Sequence, residues 1–83
     1  MKNPASSQKI LDVTATAENL KRLCREKGTS PQTIREALNL ESVQSVYHWM
    51  SGVSTPSLDN LVILSDLWKV SIDDIIRTKS INI

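Results

Sequence analysis

SPQTIREALNLESVQSVYHWM, residues 30–50, decides the fold. Ser30-Pro31 reads as a helix start: a hydroxyl that can accept from free amides, then Pro where no amide is needed. Ile34, Ala37 and Leu38 recur at helical spacing for two turns. Asn39 tolerates the left-handed region and leaves the helix. Leu40 is expected to point back into the core from the turn. Ser42 then reads as the next N-cap, opening a helix over about Val43–Met50. Val46, Trp49 and Met50 share one face at i, i+3, i+4. Gln44, Ser45, Tyr47 and His48 fall on the other face or its edges, and Gly52 closes the helix.

Two helices this short are not stable in isolation. They require a bundle around them, and the flanking sequence supplies one. Upstream, Thr16 is a plausible N-cap with Glu18 in the first turn. Leu20, Leu23 and Cys24 make one helical face, and Gly28 ends that helix. Downstream, Pro56-Ser57 starts a helix whose stripe is Leu58, Leu61, Leu64, Ser65 and Trp68. Ser71 caps a last turn, with Asp73 and Asp74 at its positive end, and Ile72, Ile75 and Ile76 pack back. The reading is all-α, a bundle of about five short helices in which the second and third form a helix-turn-helix. Its domain covers residues 15–77. Residues 1–14 are expected to be a flexible start whose Ile10, Leu11 and Val13 tuck against the domain, and residues 78–83 a frayed tail.

Composition bounds the function. With 83 residues there is room for one domain and one core. Ten Lys and Arg against nine Asp and Glu leave a net charge of +1, so overall charge points to no particular partner. The single Cys cannot form an internal disulfide and reads as a small apolar packing residue. One His and one Cys offer no metal-ligand spacing, so neither a metal nor a cofactor is expected. No stretch reads as a secretory signal or a membrane span, which makes the cytoplasm the default location. No Gly-rich phosphate loop and no recognisable catalytic set are present, so an enzyme is not expected.

Several short strings, in order, carry a family likeness. They are Asn19-Leu20-Lys21-Arg22-Leu23, Lys27-Gly28-Thr29-Ser30, Val46-Tyr47-His48-Trp49 with Gly52, Pro56-Ser57-Leu58 with Asn60-Leu61, and Leu64 through Val70-Ser71-Ile72-Asp73-Asp74-Ile75. The span from about Thr16 to Ile76 resembles the lambda-repressor-like, Cro/CI or XRE type of bacterial helix-turn-helix protein. The resemblance implies a sequence-specific binder of double-stranded DNA in a small transcriptional regulator, often acting as a homodimer. It places the third helix in the major groove and the second across the backbone. The groove-facing positions would be Val43, Gln44, Ser45, Tyr47 and His48. Gln44 is the first choice for direct readout, because its amide can bond an adenine edge twice. Phosphate contacts would come from Ser30, Gln32, Arg35, Ser42, Ser54 and Thr55.

The sequence departs from that family in informative ways. The turn between Leu38 and Ser42 is one residue longer than the commonest pattern. Pro31 stands where a phosphate-binding Gln is common, with Gln32 one step on. No Lys or Arg occurs between Glu36 and Trp68. Phosphate neutralisation supplies most non-specific affinity, so weak binding by a single copy is expected. The family often pairs an Arg with a Glu across the first and third helices. Cys24 and Met50 replace both, which predicts an apolar contact there. The shortage of cations also keeps open a protein-interaction module on the same fold. Val53, Ile63, Leu67, Ile81 and Ile83 are the apolar residues left for a dimer patch.

Overall fold

The computed structural model describes residues 7–82, in the order β1 (Ser7–Leu11), α1 (Val13–Lys27), α2 (Pro31–Leu38), α3 (Gln44–Ser51), α4 (Leu58–Trp68), α5 (Ile72–Ile75) and β2 (Thr78–Asn82). Local hydrogen bonds explain most of these boundaries. The Ser30 hydroxyl accepts from Thr33 N at 3.1 Å, and Pro31 follows at the first helical position. The Ser57 hydroxyl accepts from Asn60 N. Ser71 and Asp74 bond each other's backbone amides, so four residues suffice for α5. Gly28, Asn39, Gly52 and Lys69 end α1 to α4 in the left-handed conformation. Lys69 was not marked as a terminator by its residue type.

The first helix starts earlier than the expected Thr16 N-cap. Asp12 caps it, its carboxylate accepting from Ala15 N at 3.0 Å. Thr16 is buried a full turn inside, and its hydroxyl is engaged elsewhere: it accepts from Arg77 N at 2.9 Å. Glu18 is therefore beyond the first turn, where it pairs with Lys21 at 3.0 Å.

The chain ends also differ from expectation. Of the expected flexible start, residues 7–11 form β1 and residues 12–14 are the cap and first residues of α1. The described part of the expected frayed tail is β2, and the two strands pair antiparallel with Gln8 opposite Ile81 and Ile10 opposite Lys79. Asp12 N donates to Arg77 O at 2.8 Å, and the Thr16–Arg77 bonds clamp the same point. Packing of α5 on α1 brings the two ends together, and pairing satisfies backbone groups that would otherwise face water. Leu11 is half-buried, whereas Ile10 and Val13 remain exposed rather than tucked in. Residues 1–6 and 83 lie outside the described residues.

The core joins all five helices: Leu20, Leu23 and Cys24 from α1, Ile34 and Leu38 from α2, Val46 and Trp49 from α3, Leu61, Leu64 and Trp68 from α4, and Ile75 from α5. Leu40, Val43 and Met50 pack against it partly buried. Two residues assigned to helical core faces fall outside it. Ala37 is exposed, and Leu58 is 69% exposed. Leu58 opens α4 about a quarter-turn away from the Leu61–Leu64–Trp68 axis, so the stripe cannot carry it inward.

Cys24 sits inside this core as a free thiol. Burial pushes its pKa from 9.0 up to about 11. The neutral thiol is therefore the folded-state form. Its stabilising contribution is intact below about pH 9 and is lost as pH rises through about 11. Alkylation by iodoacetamide at pH 8 is expected to be far slower in the native protein than in urea. Equal rates, read by mass spectrometry, would place the thiol at the surface.

Candidate nucleic-acid interface

The interface begins with the turn that joins α2 to α3. Asn39 adopts φ 56° and ψ 45°, and its N–H bonds back to Arg35 O and Glu36 O. Leu40 N donates to Arg35 O at 3.0 Å, and the Arg35 guanidinium returns the bond, Nη1 to Leu40 O at 3.0 Å. Arg35 and Leu40 thus clasp the turn from both sides. That bond occupies part of the guanidinium proposed from sequence for phosphate. A second nitrogen lies 3.9 Å from Glu36.

The N-cap of α3 is Val43, which carries no side-chain cap bond, rather than the expected Ser42; the Ser42 hydroxyl, one position outside, accepts from Gln44 N at 3.3 Å. Val46 N and Tyr47 N both reach back to Val43 O, so helical bonding begins at Val43 even though regular α-helix starts at Gln44. At the far end, Gly52 has φ 80°. Only glycine enters that region without backbone strain.

The exposed face of α3 follows from its register. Gln44, Tyr47, His48 and Ser51 lie at i, i+3, i+4 and i+7, opposite buried Val46 and Trp49; His48 is half-buried and the other three are exposed. Tyr47 is 52% exposed. Gln44 Nε2 lies 3.2 Å from His48 Nε2. An amide nitrogen has only hydrogens to offer, so in this pairing it donates and the imidazole nitrogen accepts. The Gln44 carbonyl and its second N–H stay free. Ser51, whose hydroxyl donates to His48 O, belongs to this face and was missed from sequence. The i+7 spacing from Gln44 was the signal.

The other two sequence candidates sit differently. Ser45 is half-buried on the flank beside Trp49, and Val43 leans on the core. Among the phosphate candidates, Ser30, Gln32, Ser42 and Ser54 are exposed and Thr55 is half-buried. Gln32 Nε2 donates to Glu36 at 3.3 Å. Ser54 N donates to His48 O, which folds the following loop against the end of α3.

Few cations are free to assist. Lys21 pairs with Glu18, and Arg22 with Glu26 at 2.8 Å. Arg22 also donates to Asn19 Oδ1 beside Arg77, which directs it to the α1–α5 seam. Arg25 and Lys27, in the last turn of α1, are exposed and form no ion pair among the described residues.

This geometry has a family. A helix-turn-helix family model matches residues 19–75. The chain belongs to that helix-turn-helix family, of the Cro/CI (XRE) type. Its match runs from the buried Asn19 through α5, so it takes in all of the turn and α3 and leaves the β-strands outside. A transcriptional regulator from Listeria innocua is similar in structure, with TM-score 0.68 and 36% sequence identity over 74% of this chain. The chain spans 56% of that regulator's length. A comparison with curated proteins finds no match. No helix among the described residues is long and apolar enough to cross a membrane.

Proposed function

We propose that this helix-turn-helix chain is a sequence-specific binder of double-stranded DNA within a transcriptional regulator, with α3 in the major groove. One observation carries the reading: α3 presents an uninterrupted polar face, Gln44, Tyr47, His48 and Ser51, while the turn before it is clasped by Arg35 and Leu40. A rigid turn aims that face, and the Gln44 amide keeps one donor and one acceptor for an adenine edge. Tyr47 and His48 reach bases or phosphates, and Ser45 reaches from the flank. Val43, leaning on the core, has less surface to give a thymine methyl group. Ser30, Gln32, Ser42, Ser54 and Thr55 hold phosphate by neutral hydrogen bonds. Arg35 serves the turn first and phosphate second.

Two or three free cations per copy give a shallow salt dependence, a slope of about −2 to −3 in log K against log salt. Two copies on adjacent half-sites then supply the affinity that one lacks. Selection from random duplexes at low salt tests the reading. The wild type enriches a half-site, and Gln44→Ala relaxes one position of it by about 5- to 150-fold in discrimination. Absence of any enriched sequence would overturn base readout. The run without Lys or Arg from Ala37 to Trp68 favours one second reading, a protein-binding module on the same fold. That module would enrich no duplex and would retain a protein partner.

A further inference from the structure

Two guanidinium groups meet at the seam between α1 and α5. Asn19 Oδ1 accepts from Arg22 Nε at 3.0 Å and Nη2 at 2.6 Å, and from Arg77 Nη2 at 3.1 Å. An amide oxygen has two lone pairs, so three N–H groups must share it. The two cations stand one neutral oxygen apart and repel each other. Glu26 neutralises only Arg22, at 2.8 Å. Arg77 has no carboxylate partner among the described residues. Its Nη1 donates to the Asp74 and Ile76 carbonyls, and its Nε has no acceptor among the described residues. An open cleft of about 430 Å³ lies over these groups, lined by Ala15, Glu18, Asn19, Arg22 and Arg77.

We infer that this cleft binds the phosphate group of a small molecule between Arg22 and Arg77. The site holds donors and positive charge in excess of its acceptors, and an oxyanion supplies what is missing. A dianion matches two guanidinium groups better than a single carboxylate does. Glu18 stands on the rim and opposes the ligand, but Lys21 holds its carboxylate at 3.0 Å. The Asp74 carboxylate is engaged by Ser71 N at 3.2 Å. DNA is not the source of this phosphate. The third helix closes against the side of α1 that carries Val13 and Ala17, both 4.0 Å from a Cβ placed on Gly52. Ala15, two residues from each, and Arg22 lie on the opposite side of a helix with about 3.6 residues per turn. The cleft therefore faces away from α3.

The inference stands apart from base readout, and its test uses no DNA. Inorganic phosphate is titrated into the full chain at pH 7.5 and constant ionic strength, and amide signals are followed by nuclear magnetic resonance. The Asn19 side-chain amide and the backbone amides of Arg22 and Arg77 shift and saturate in the millimolar range, and chloride does not reproduce the shifts. Arg22→Gln weakens binding at least tenfold, by loss of charge-assisted hydrogen bonds. Arg22 bonds only Asn19 and Glu26, so circular dichroism of this variant matches the wild type. Glu18→Gln removes the opposing charge and tightens binding about two- to fivefold. Lys69→Gln makes the same change of net charge as Arg22→Gln, outside the cleft, and leaves binding unchanged.

Shifts that do not saturate, or that spread over cations outside the cleft, would overturn the site. Full affinity in Arg22→Gln, or equal weakening by Lys69→Gln, would overturn it as well. Saturation by acetate at the same concentrations would overturn the choice of phosphate over carboxylate.

Discussion

Leu64→Ala lowers the unfolding free energy by about 3 kcal/mol. Leu64 has no exposed surface and lies in the core cluster that includes Trp68 and Ile75. Removing its three terminal carbons forfeits their burial and leaves a cavity. The helices around it are short and cannot close over the gap without losing other contacts. A domain of this size has about 4–12 kcal/mol of stability in total, so the loss is a large share of it. Urea unfolding followed by Trp fluorescence measures it, since Trp49 and Trp68 are both buried reporters. With a slope near 1 kcal/mol per molar urea, the midpoint falls by about 3 M. A shift under about 0.5 M would mean that the core relaxes around the gap far more than this packing implies.

Asn19→Ala is expected to cost about as much, through polar groups. Asn19 is buried, and its Nδ2 donates to Asp74 O at 2.7 Å and to Ile75 O at 2.8 Å. These carbonyls lie at the end of α5, where no helical amide follows to satisfy them. Asn19 Oδ1 accepts from Arg22 and from Arg77. Alanine strands the Ile75 carbonyl, leaves Asp74 O only its 3.3 Å bond from Arg77 Nη1, and loosens two guanidinium groups at once. Each buried group left unpaired costs about 1–3 kcal/mol, partly offset where water enters. The expected total is about 3 kcal/mol. Because Arg77 also leads into β2, hydrogen exchange should quicken first at Arg77 and in the β1–β2 ribbon. Unchanged protection there, with a stability loss below about 1 kcal/mol, would show that Asn19 does not hold the α1–α5 seam.

These two residues differ in how visible they were beforehand. Leu64 was legible: it falls on a stripe of period 3.6, and that period is a property of the chain alone. Asn19 appeared only as one residue of a family-like string, because its partners are 55 and 56 positions away. The same division runs through the interface. Ser30, Asn39 and Gly52 could be read directly, since a cap bonds to residues three or four positions away. The role of Arg35 could not. A cation near the start of a recognition motif suggested phosphate, and only the folded turn places Leu40 O within its reach. Ser51 was overlooked because the exposed face of α3 continues one residue past the expected helix end.

The misread residues have a common cause. Thr16 has a capping hydroxyl, but Asp12 takes the cap and Thr16 is used by Arg77, across 61 positions. Leu58 is apolar at nearly the right spacing, but its angle on α4 leaves it in solvent. The β1–β2 ribbon pairs two polar stretches that have little strand character alone, and no local pattern announces a partner at the other end of the chain.

The sequence by itself determined the five helices, the left-handed exits at Gly28, Asn39 and Gly52, and the polar face of Gln44, Tyr47 and His48. Each depends on bonds or periods spanning a few residues, which are written along the chain. Tertiary structure alone decided the ribbon, the Asn19 seam, the clasp of Arg35 on its turn and the exposure of Leu58. Those depend on which distant surfaces meet and which are left uncovered, and that is settled only when the whole core packs.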